Sequence, residues 1–311
     1  MGAATARLRR RPTRRRYGTG ERRLAVAMLS PAMVVIALVG AYPIGYAIWL
    51  SLNEYSVRVP GLSRFAGFKN YSEALGSSEF WDAVVTTFVF TGISVSLELA
   101  IGVGMALAMH EAFKGRAILR TVVLVPWAVL TVVSAITWRT LFEPNLGLAP
   151  QVLSTLGLPG ADVVWLGESG YALAVMVLAD VWKTAPFMAL LILAGLQVIP
   201  DDLYDAAKVD GATAWQRFVR ITLPLLTPAI LVALIFRTLD ALRIFDLPFV
   251  LTRGANDTTT LSLIAHQELT TNRLIGLGSA MSVLTFLIVM AVSFLYIRTV
   301  GGNIRALAEE S

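Results

Sequence analysis

The sequence lacks cysteine altogether and contains few histidines, and each shortage removes a class of function. Without cysteine there are no disulfides, no thiolate metal sites and no cysteine nucleophile. Only two histidines occur, His110 and His266, which argues against a histidine metal site. No Gly-x-x-x-x-Gly-Lys-Ser/Thr loop is present, so the chain is not expected to bind ATP in the P-loop manner.

Charge is also scarce, and long apolar runs take its place. Charged residues make up 15% of the chain and hydrophobic residues 56%, whereas soluble domains carry about 25% charged residues. Because backbone groups in lipid must be hydrogen-bonded within their own segment, such runs are expected to be helices. The sequence therefore predicts an all-α membrane protein with six transmembrane helices, near residues 24–52, 83–109, 118–142, 171–196, 223–250 and 277–297.

Positive charge is concentrated before the first apolar run. Nine arginines lie between Arg7 and Arg23, and in this position they indicate a cytoplasmic retention signal facing anionic lipid rather than a nucleic-acid site. The connection between the third and fourth runs, residues 143–170, contains no lysine or arginine and suits the outer side. We expect a basic cytoplasmic tail (1–23), a transmembrane domain (24–305), a short C-terminal tail (306–311) and both termini inside.

The polar stretch 199–224 is typical of two short helices joined by a sharp turn. Pro200 and the acidic residues after it favour a helix start. Gly211 follows at the position where a helix end needs a left-handed backbone. Thr213 and Gln216 have the spacing of a capping box, which predicts the second helix. The predicted orientation places this loop on the cytoplasmic side.

The loop also carries a motif. Asp205, Ala206 and Ala207 are followed after three residues by Gly211, and after nine more by Ile221, Leu223 and Pro224. This order resembles the E-A-A-x3-G-x9-I-x-L-P loop of ABC-importer permeases, with Asp205 in place of glutamate. The resemblance implies that the loop, with Asp205, Ala206, Ala207, Asp210 and Gly211 at its centre, docks into a cytoplasmic ATPase subunit. Spacing alone also fits an amphipathic helix lying on the membrane.

Ionisable residues occur inside the predicted spans, where they are costly and usually functional. Glu98 lies mid-span in the second helix. Asp180 and Lys183 are three residues apart in the fourth, a spacing that lets them pair. The fifth holds a row with alternating sign: Arg237, Asp240, Arg243 and Asp246. Two interpretations remain open: these residues line a polar path for a hydroxylated solute, or they neutralise one another and lock helices together.

Aromatic residues accompany these charges. Trp182, Phe187 and Phe245 offer ring faces on which the apolar side of a sugar can stack, whereas Trp127 and Trp138 are assigned to packing or the interface. The segments 181–187 and 245–252 resemble helices of carbohydrate permeases, and among these the permeases of trehalose importers are most similar. The segment 65–71 resembles the F-x-G-x-x-N-Y segment of sugar permeases, on the side where a binding protein docks, although interfacial aromatics explain it equally well.

The resemblance implies a type I ABC importer permease fold and a set of partners. These are a second homologous permease, two ABC ATPase subunits that bind ATP and magnesium, an extracytoplasmic sugar-binding (lipo)protein, the sugar and the surrounding lipid. No cofactor is expected in this chain, no nucleic acid, and no enzyme chemistry, because no nucleophile–base set stands out. The alternative is a proton-coupled secondary transporter using Glu98, Asp180 and Asp246, but such proteins usually contain an internal repeat and none is evident.

Overall fold

The computed structural model describes residues 19–56, 63–111 and 114–309. The chain divides into two units, Met1–Ala47 and Ile48–Ser311. Most of the predicted basic tail, residues 1–18, and the last two residues of the C-terminal tail lie outside the described residues. The first helix, α1 (Thr19–Ile36), runs into a π-helical turn (Ala37–Ala41) and then α2 (Tyr42–Ser51), and the first unit ends within α2 at Ala47. These segments form a continuous apolar span, Arg23–Ser51, whose most apolar window contains no buried residue.

The second unit continues with a small hairpin against a short helix. It comprises β1 (Asn53–Tyr55), antiparallel β2 (Ser63–Phe65) and α3 (Lys69–Gly76). The buried amide of Asn70 donates to the carbonyls of Ser51 (2.8 Å) and Asn53 (3.0 Å), and the Tyr71 hydroxyl lies 2.6 Å from that of Ser51. Two polar residues of the segment 65–71 thus have a structural role, whatever docks on it.

The remaining helices make up the membrane bundle and the segments that connect its spans. They are α4 (Ser78–His110), α5 (Arg116–Val123), α6 (Val125–Ala128), α7 (Thr131–Leu141), α8 (Leu148–Thr155), α9 (Tyr171–Leu196), α10 (Asp201–Val209), α11 (Ala214–Arg217), a π-helical turn (Phe218–Thr222), α12 (Leu223–Ala241), α13 (Asp246–Leu251), α14 (Leu261–Thr270) and α15 (Ile275–Glu309). Within the described residues, five helices are long and apolar enough to span a membrane, and a bent pair makes six. The all-α prediction is confirmed.

Two of the expected spans are not single helices. The third is divided by an 88° bend between residues 116–128 and 131–141, because Val129 and Leu130 are extended, with ψ of 135° and 134°. The fifth was expected to continue to residue 250, but α12 ends at Ala241 and α13 starts at Asp246. Pro248 suits a new helix start, since it lies in the first turn of α13, where its missing amide leaves no intrahelical hydrogen bond unmade. The carbonyl of Ile244, within the break, accepts from the Thr260 hydroxyl at 2.9 Å.

The core of the second unit is where α4, α9 and α12 approach one another at glycines. A Cβ added to Gly102 of α4 would lie 2.8 Å from the Cβ of Met188 in α9. A Cβ on Gly195 of α9 would lie 2.5 Å from that of Ala229 in α12. Real Cβ atoms do not come this close, so the helix backbones meet here only because glycine has no side chain. The buried apolar side chains of this core include Phe90, Met176, Ile192, Leu196 and Leu226.

Candidate coupling and translocation sites

The predicted turn of the polar loop has the geometry that its sequence indicates. Gly211 has φ of +75°, and its amide donates to the carbonyl of Lys208 at 3.0 Å. The amide of Ala212 donates to the carbonyl of Ala207 at 2.9 Å. This pair of bonds is the Schellman arrangement that ends a helix at a left-handed glycine. The prediction of a positive φ at Gly211 is therefore confirmed.

The second helix of the loop begins as its sequence predicts. The Gln216 amide donates to the Thr213 hydroxyl at 3.3 Å, and the Gln216 side chain accepts from the Thr213 amide at 2.8 Å, so the capping box is complete. On the first helix, the Asp205 carboxylate pairs with Lys208 at 2.8 Å, and its side chain is 69% exposed. No residue of α10 or α11 is buried within this chain. The loop is a preformed surface whose Ala206, Ala207, Asp210 and Gly211 remain accessible to a partner.

Tyr204 attaches this surface to the bundle, a role that the sequence had not indicated. Its ring packs against the buried cluster at the end of α9 that includes Ile192 and Leu196. Its hydroxyl lies 3.0 Å from that of Thr222 in the π-helical turn before α12. The first helix of the loop is therefore tied to both of the long helices that the loop connects.

A charge network lies deeper in the bundle, centred on Arg237 of α12. The guanidinium donates to both carboxylate oxygens of Glu98 in α4, at 2.5 and 2.7 Å. It donates further to Asp180 of α9 at 2.8 Å and to Asp240 at 2.6 Å. The Thr184 hydroxyl donates to Glu98 at 2.7 Å. Glu98, Asp180 and Arg237 are buried, whereas the side chain of Asp240 is 68% exposed.

This network corrects two predictions about pairing. Asp180 does not pair with Lys183, whose ammonium instead donates to the carbonyl of Trp127 at 3.4 Å. The reason is that Arg237, on a neighbouring helix, offers five donors in a planar fork, whereas a lysine ammonium offers three donors from a single nitrogen. In the row of the fifth span, only the first two residues, Arg237 and Asp240, form an ion pair among the described residues.

The last two residues of that row, Arg243 and Asp246, lie beyond the end of α12 and so do not share a helix face with the first two. Arg243 lies in the turn that follows α12, and its Nε donates to the carbonyl of Leu239 at 3.0 Å. Asp246 is the first residue of α13. Within the part of the chain that the structure describes, neither makes an ion pair. The interpretation that the members of the row neutralise one another is therefore wrong for these two.

Arg243 and Phe245 instead line a cavity of about 630 Å³. Its walls come from α14 and α15, and its polar groups include His266, Ser282 and Thr285. The Phe245 ring lies 4.8 Å from the His266 ring and stacks on Phe249 at 5.2 Å. His266 was not assigned to this site from the sequence, because its contact with Phe245 joins α13 to α14 across a loop.

The aromatic candidates of α9 are partly exposed and have aromatic neighbours. Phe187 stacks on Trp127 with ring centres 6.0 Å apart, and Trp182 meets the edge of Trp138 at 6.1 Å. The Lys183 ammonium donates a hydrogen bond to the backbone carbonyl of Trp127. Trp127 and Trp138, which were assigned to packing, therefore stand beside Phe187 and Trp182. A ring surface with an adjacent ammonium can stack on a sugar and donate to its hydroxyls.

The described residues contain no group of three or more histidine or acidic side chains arranged to hold a metal ion. Of the predicted substrate-path residues, the structure brings Glu98, Asp180 and Asp240 together around Arg237. It places Lys183 and Phe187 beside Trp127, Trp182 beside Trp138, and Arg243 with Phe245 at the cavity. Asp246 joins none of these groups through an ion pair among the described residues.

Comparison with known proteins identifies the class of this bundle. Residues 100–301 match the family described as binding-protein-dependent transport system inner membrane component. The chain belongs to this family. It is the membrane-embedded permease subunit of an ABC transporter, and it is a transport component rather than an enzyme.

Individual relatives cover nearly the whole chain. The trehalose transport system permease protein SugA of Mycobacterium tuberculosis is 42% identical over 281 residues, 90% of each chain. The trehalose/maltose transport system permease protein MalF of Thermococcus litoralis is 44% identical over 280 residues, 89% of this chain and 94% of the relative. A bacterial alginate ABC transporter, crystallised with its alginate-bound periplasmic protein, has a chain that matches 90% of this one and 94% of its own length, with a TM-score of 0.78 and 23% identity. The last similarity confirms the type I importer permease fold.

Proposed function

We propose that this permease imports trehalose or a closely related disaccharide. The observation that carries the proposal is the 42–44% identity, over about nine tenths of the chain, to permeases named for trehalose and for trehalose/maltose. Hydroxyl-rich solutes also suit the polar and aromatic groups in the bundle. Rings stack on the apolar faces of sugars, while carboxylates accept from their hydroxyls and cationic groups donate to them.

The proposed contacts with sugar are the accessible members of the path. They are Trp182, Lys183 and Phe187 on α9, Asp240 at the exposed edge of the charge network, and Arg243, Phe245 and Asp246 after α12. Glu98 and Asp180 are buried, with oxygens already bonded to Arg237. We therefore assign them to holding the wall of the path rather than to touching sugar.

The proposed complex contains a second, homologous permease, two ATPase subunits and an extracytoplasmic sugar-binding lipoprotein. ATP and magnesium are bound by the ATPases. Both termini and the loop of Asp205, Ala206, Ala207, Asp210 and Gly211 face the cytoplasm, in keeping with the arginine-rich start of the chain. The exposed surface of α10 docks on an ATPase, and closure of the ATPase pair shifts the bundle between two access states, a ligand- and ATP-biased equilibrium.

The test is reconstitution of the complex in liposomes. The tagged chain is purified in mild detergent with the proteins that accompany it, and a candidate binding protein is loaded with trehalose, maltose or an unrelated amino acid. The proposal predicts ATPase stimulation and uptake with a disaccharide but not with the amino acid. Uptake that follows a proton gradient and needs no ATP would refute it. Stimulation by a different sugar alone would retain the importer and change the substrate.

A further inference from the structure

The two helices that flank the coupling loop (residues 199–224), α9 and α12, are joined to each other directly at two levels and through the loop at a third. At the base, Tyr204 of α10 packs against the end of α9, and its hydroxyl lies 3.0 Å from that of Thr222 in the turn before α12. Further along, Gly195 of α9 meets Ala229 of α12 so closely that no side chain fits between them. Higher still, Asp180 of α9 pairs with Arg237 of α12 at 2.8 Å. At 1.5 Å per residue, Arg237 lies about 22 Å along the helix from Thr222.

The third helix of the core, α4, is attached to α9 between the two upper levels and to Arg237 at the highest one. Gly102 of α4 packs on Met188 of α9. One turn earlier in α4, Glu98 takes two hydrogen bonds from Arg237 and one from Thr184. A single arginine therefore connects α4, α9 and α12. Since the Arg237 guanidinium and its two partners on the other helices are buried, water does not weaken the connection as it does for surface ion pairs.

Arg237 also holds one group of the proposed path. Its Nη1 donates to Oδ2 of Asp240, which leaves the rest of that largely exposed carboxylate free to accept from a solute. Trp182, Lys183 and Phe187 follow Asp180 within two turns of the same helix, so their positions depend on how α9 is held. The network is thus the place where the helices of the coupling loop and the groups facing the solute are fixed relative to one another.

We propose that Arg237 is a positioning residue for transport, which locks α4, α9 and α12 into one rigid element. When the ATPase moves the coupling loop, Asp240 and the aromatic side chains of α9 then move with it by the same rigid-body displacement. This inference rests on the proposed function, since it presupposes ATP-driven import of a solute. Arginine is required because its planar fork makes four hydrogen bonds from three separate nitrogens to Glu98, Asp180 and Asp240, whereas a lysine ammonium has three donors on a single nitrogen.

The experiment measures sugar imported per ATP hydrolysed by the complete complex in liposomes. Arg237→Lys keeps the charge but loses the fork, and we expect it to lower this ratio about tenfold, within the usual range for coupling between sites, while ATP hydrolysis continues. Arg139→Lys is the matched control. Arg139 lies in α7 and makes one 3.4 Å contact with the carbonyl of Val250, so its ratio should equal that of the unmodified complex.

A second variant, Glu98→Gln/Asp180→Asn/Arg237→Gln, removes all the buried charge of the network while keeping polar groups of similar shape. It should co-purify with the ATPase and hydrolyse ATP with little import. If either variant assembles and keeps the normal ratio, the proposal is refuted. If neither assembles, the network serves only folding and the proposal is withdrawn. If the unmodified complex imports no sugar, the proposed function fails instead. Measuring import by the unmodified complex first therefore separates failure of the proposed function from failure of the role given to Arg237.

Discussion

Substitution of Gly211 tests whether the shape of the coupling loop, rather than its composition, is required for transport. Gly211 has φ of +75° and no atom lies within 4 Å of the place where a Cβ would be. A side chain here therefore meets no obstacle, and its whole cost is the backbone conformation. Three substitutions grade that cost: asparagine adopts the left-handed region comparatively easily, alanine does so with strain, and proline does not adopt it at all.

The expected effects follow from the geometry. An alanine in the left-handed region costs about 1–2 kcal/mol, which corresponds to a reduction of about 5- to 30-fold in the population of the docking-competent loop. Proline fixes φ near −65° and also removes the amide that donates to the Lys208 carbonyl at 3.0 Å. Gly211→Pro should therefore abolish coupling while the bundle remains inserted, and Gly211→Asn should lie close to the unmodified protein.

Two assays measure the effect. Titration of the purified permease pair with the ATPase subunit in detergent gives the docking affinity, and liposome uptake gives transport. Gly76→Ala serves as the control, because Gly76 also has no atom within 4 Å of the added Cβ but its φ is not positive. Its affinity and uptake should not change. Normal transport by Gly211→Pro, or equal losses at Gly76 and Gly211, would show that the left-handed turn is not what the ATPase recognises.

Three further predictions concern single contacts. Tyr204→Phe removes the hydroxyl that lies 3.0 Å from Thr222 and should lower the free energy of unfolding by about 1 kcal/mol, seen as an earlier thermal transition in detergent; an unchanged transition would contradict this anchoring role. Phe187→Ala should raise the KM for sugar by a factor of about 2–10, because ring stacking is worth about 0.5–1.5 kcal/mol, while an unchanged KM would remove Phe187 from the path. Hydrogen bonds from Arg64 and then Lys69 lower the pKa of Glu54, so the hairpin is stabilised at neutral pH and loses this contribution as the pH falls through that lowered pKa. Glu54→Gln should accordingly speed hydrogen exchange in the hairpin at neutral pH but make no difference below that pKa, and a difference that persists in acid would refute the assignment.

The coupling loop could be predicted in detail because its determinants are local. The proline start, the left-handed glycine and the capping box each depend on residues close together in the chain, and local hydrogen bonds decide them. The Tyr204 anchor escaped prediction, since its partner Thr222 lies beyond the turn and the second helix. Likewise, the bend at Val129 and Leu130 leaves little trace in the sequence, because neither bent position holds glycine or proline and apolar residues continue on both sides.

The charge network shows where sequence spacing stops being informative. A separation of three residues made Lys183 the nearest cation to Asp180 along the chain, yet the folded bundle presents Arg237 from a different helix at 2.8 Å. Local spacing offers an ion pair worth a few tenths of a kcal/mol, whereas leaving a buried guanidinium without its carboxylates costs about 3–5 kcal/mol. The larger free energy, that of the buried guanidinium, decides the pairing. Its partners depend on which helices pack together, which sequence spacing does not reveal. Arg237 and Asp240 remain paired as spacing predicts because they share α12, while Arg243 and Asp246 do not, because α12 ends at Ala241 before it reaches them.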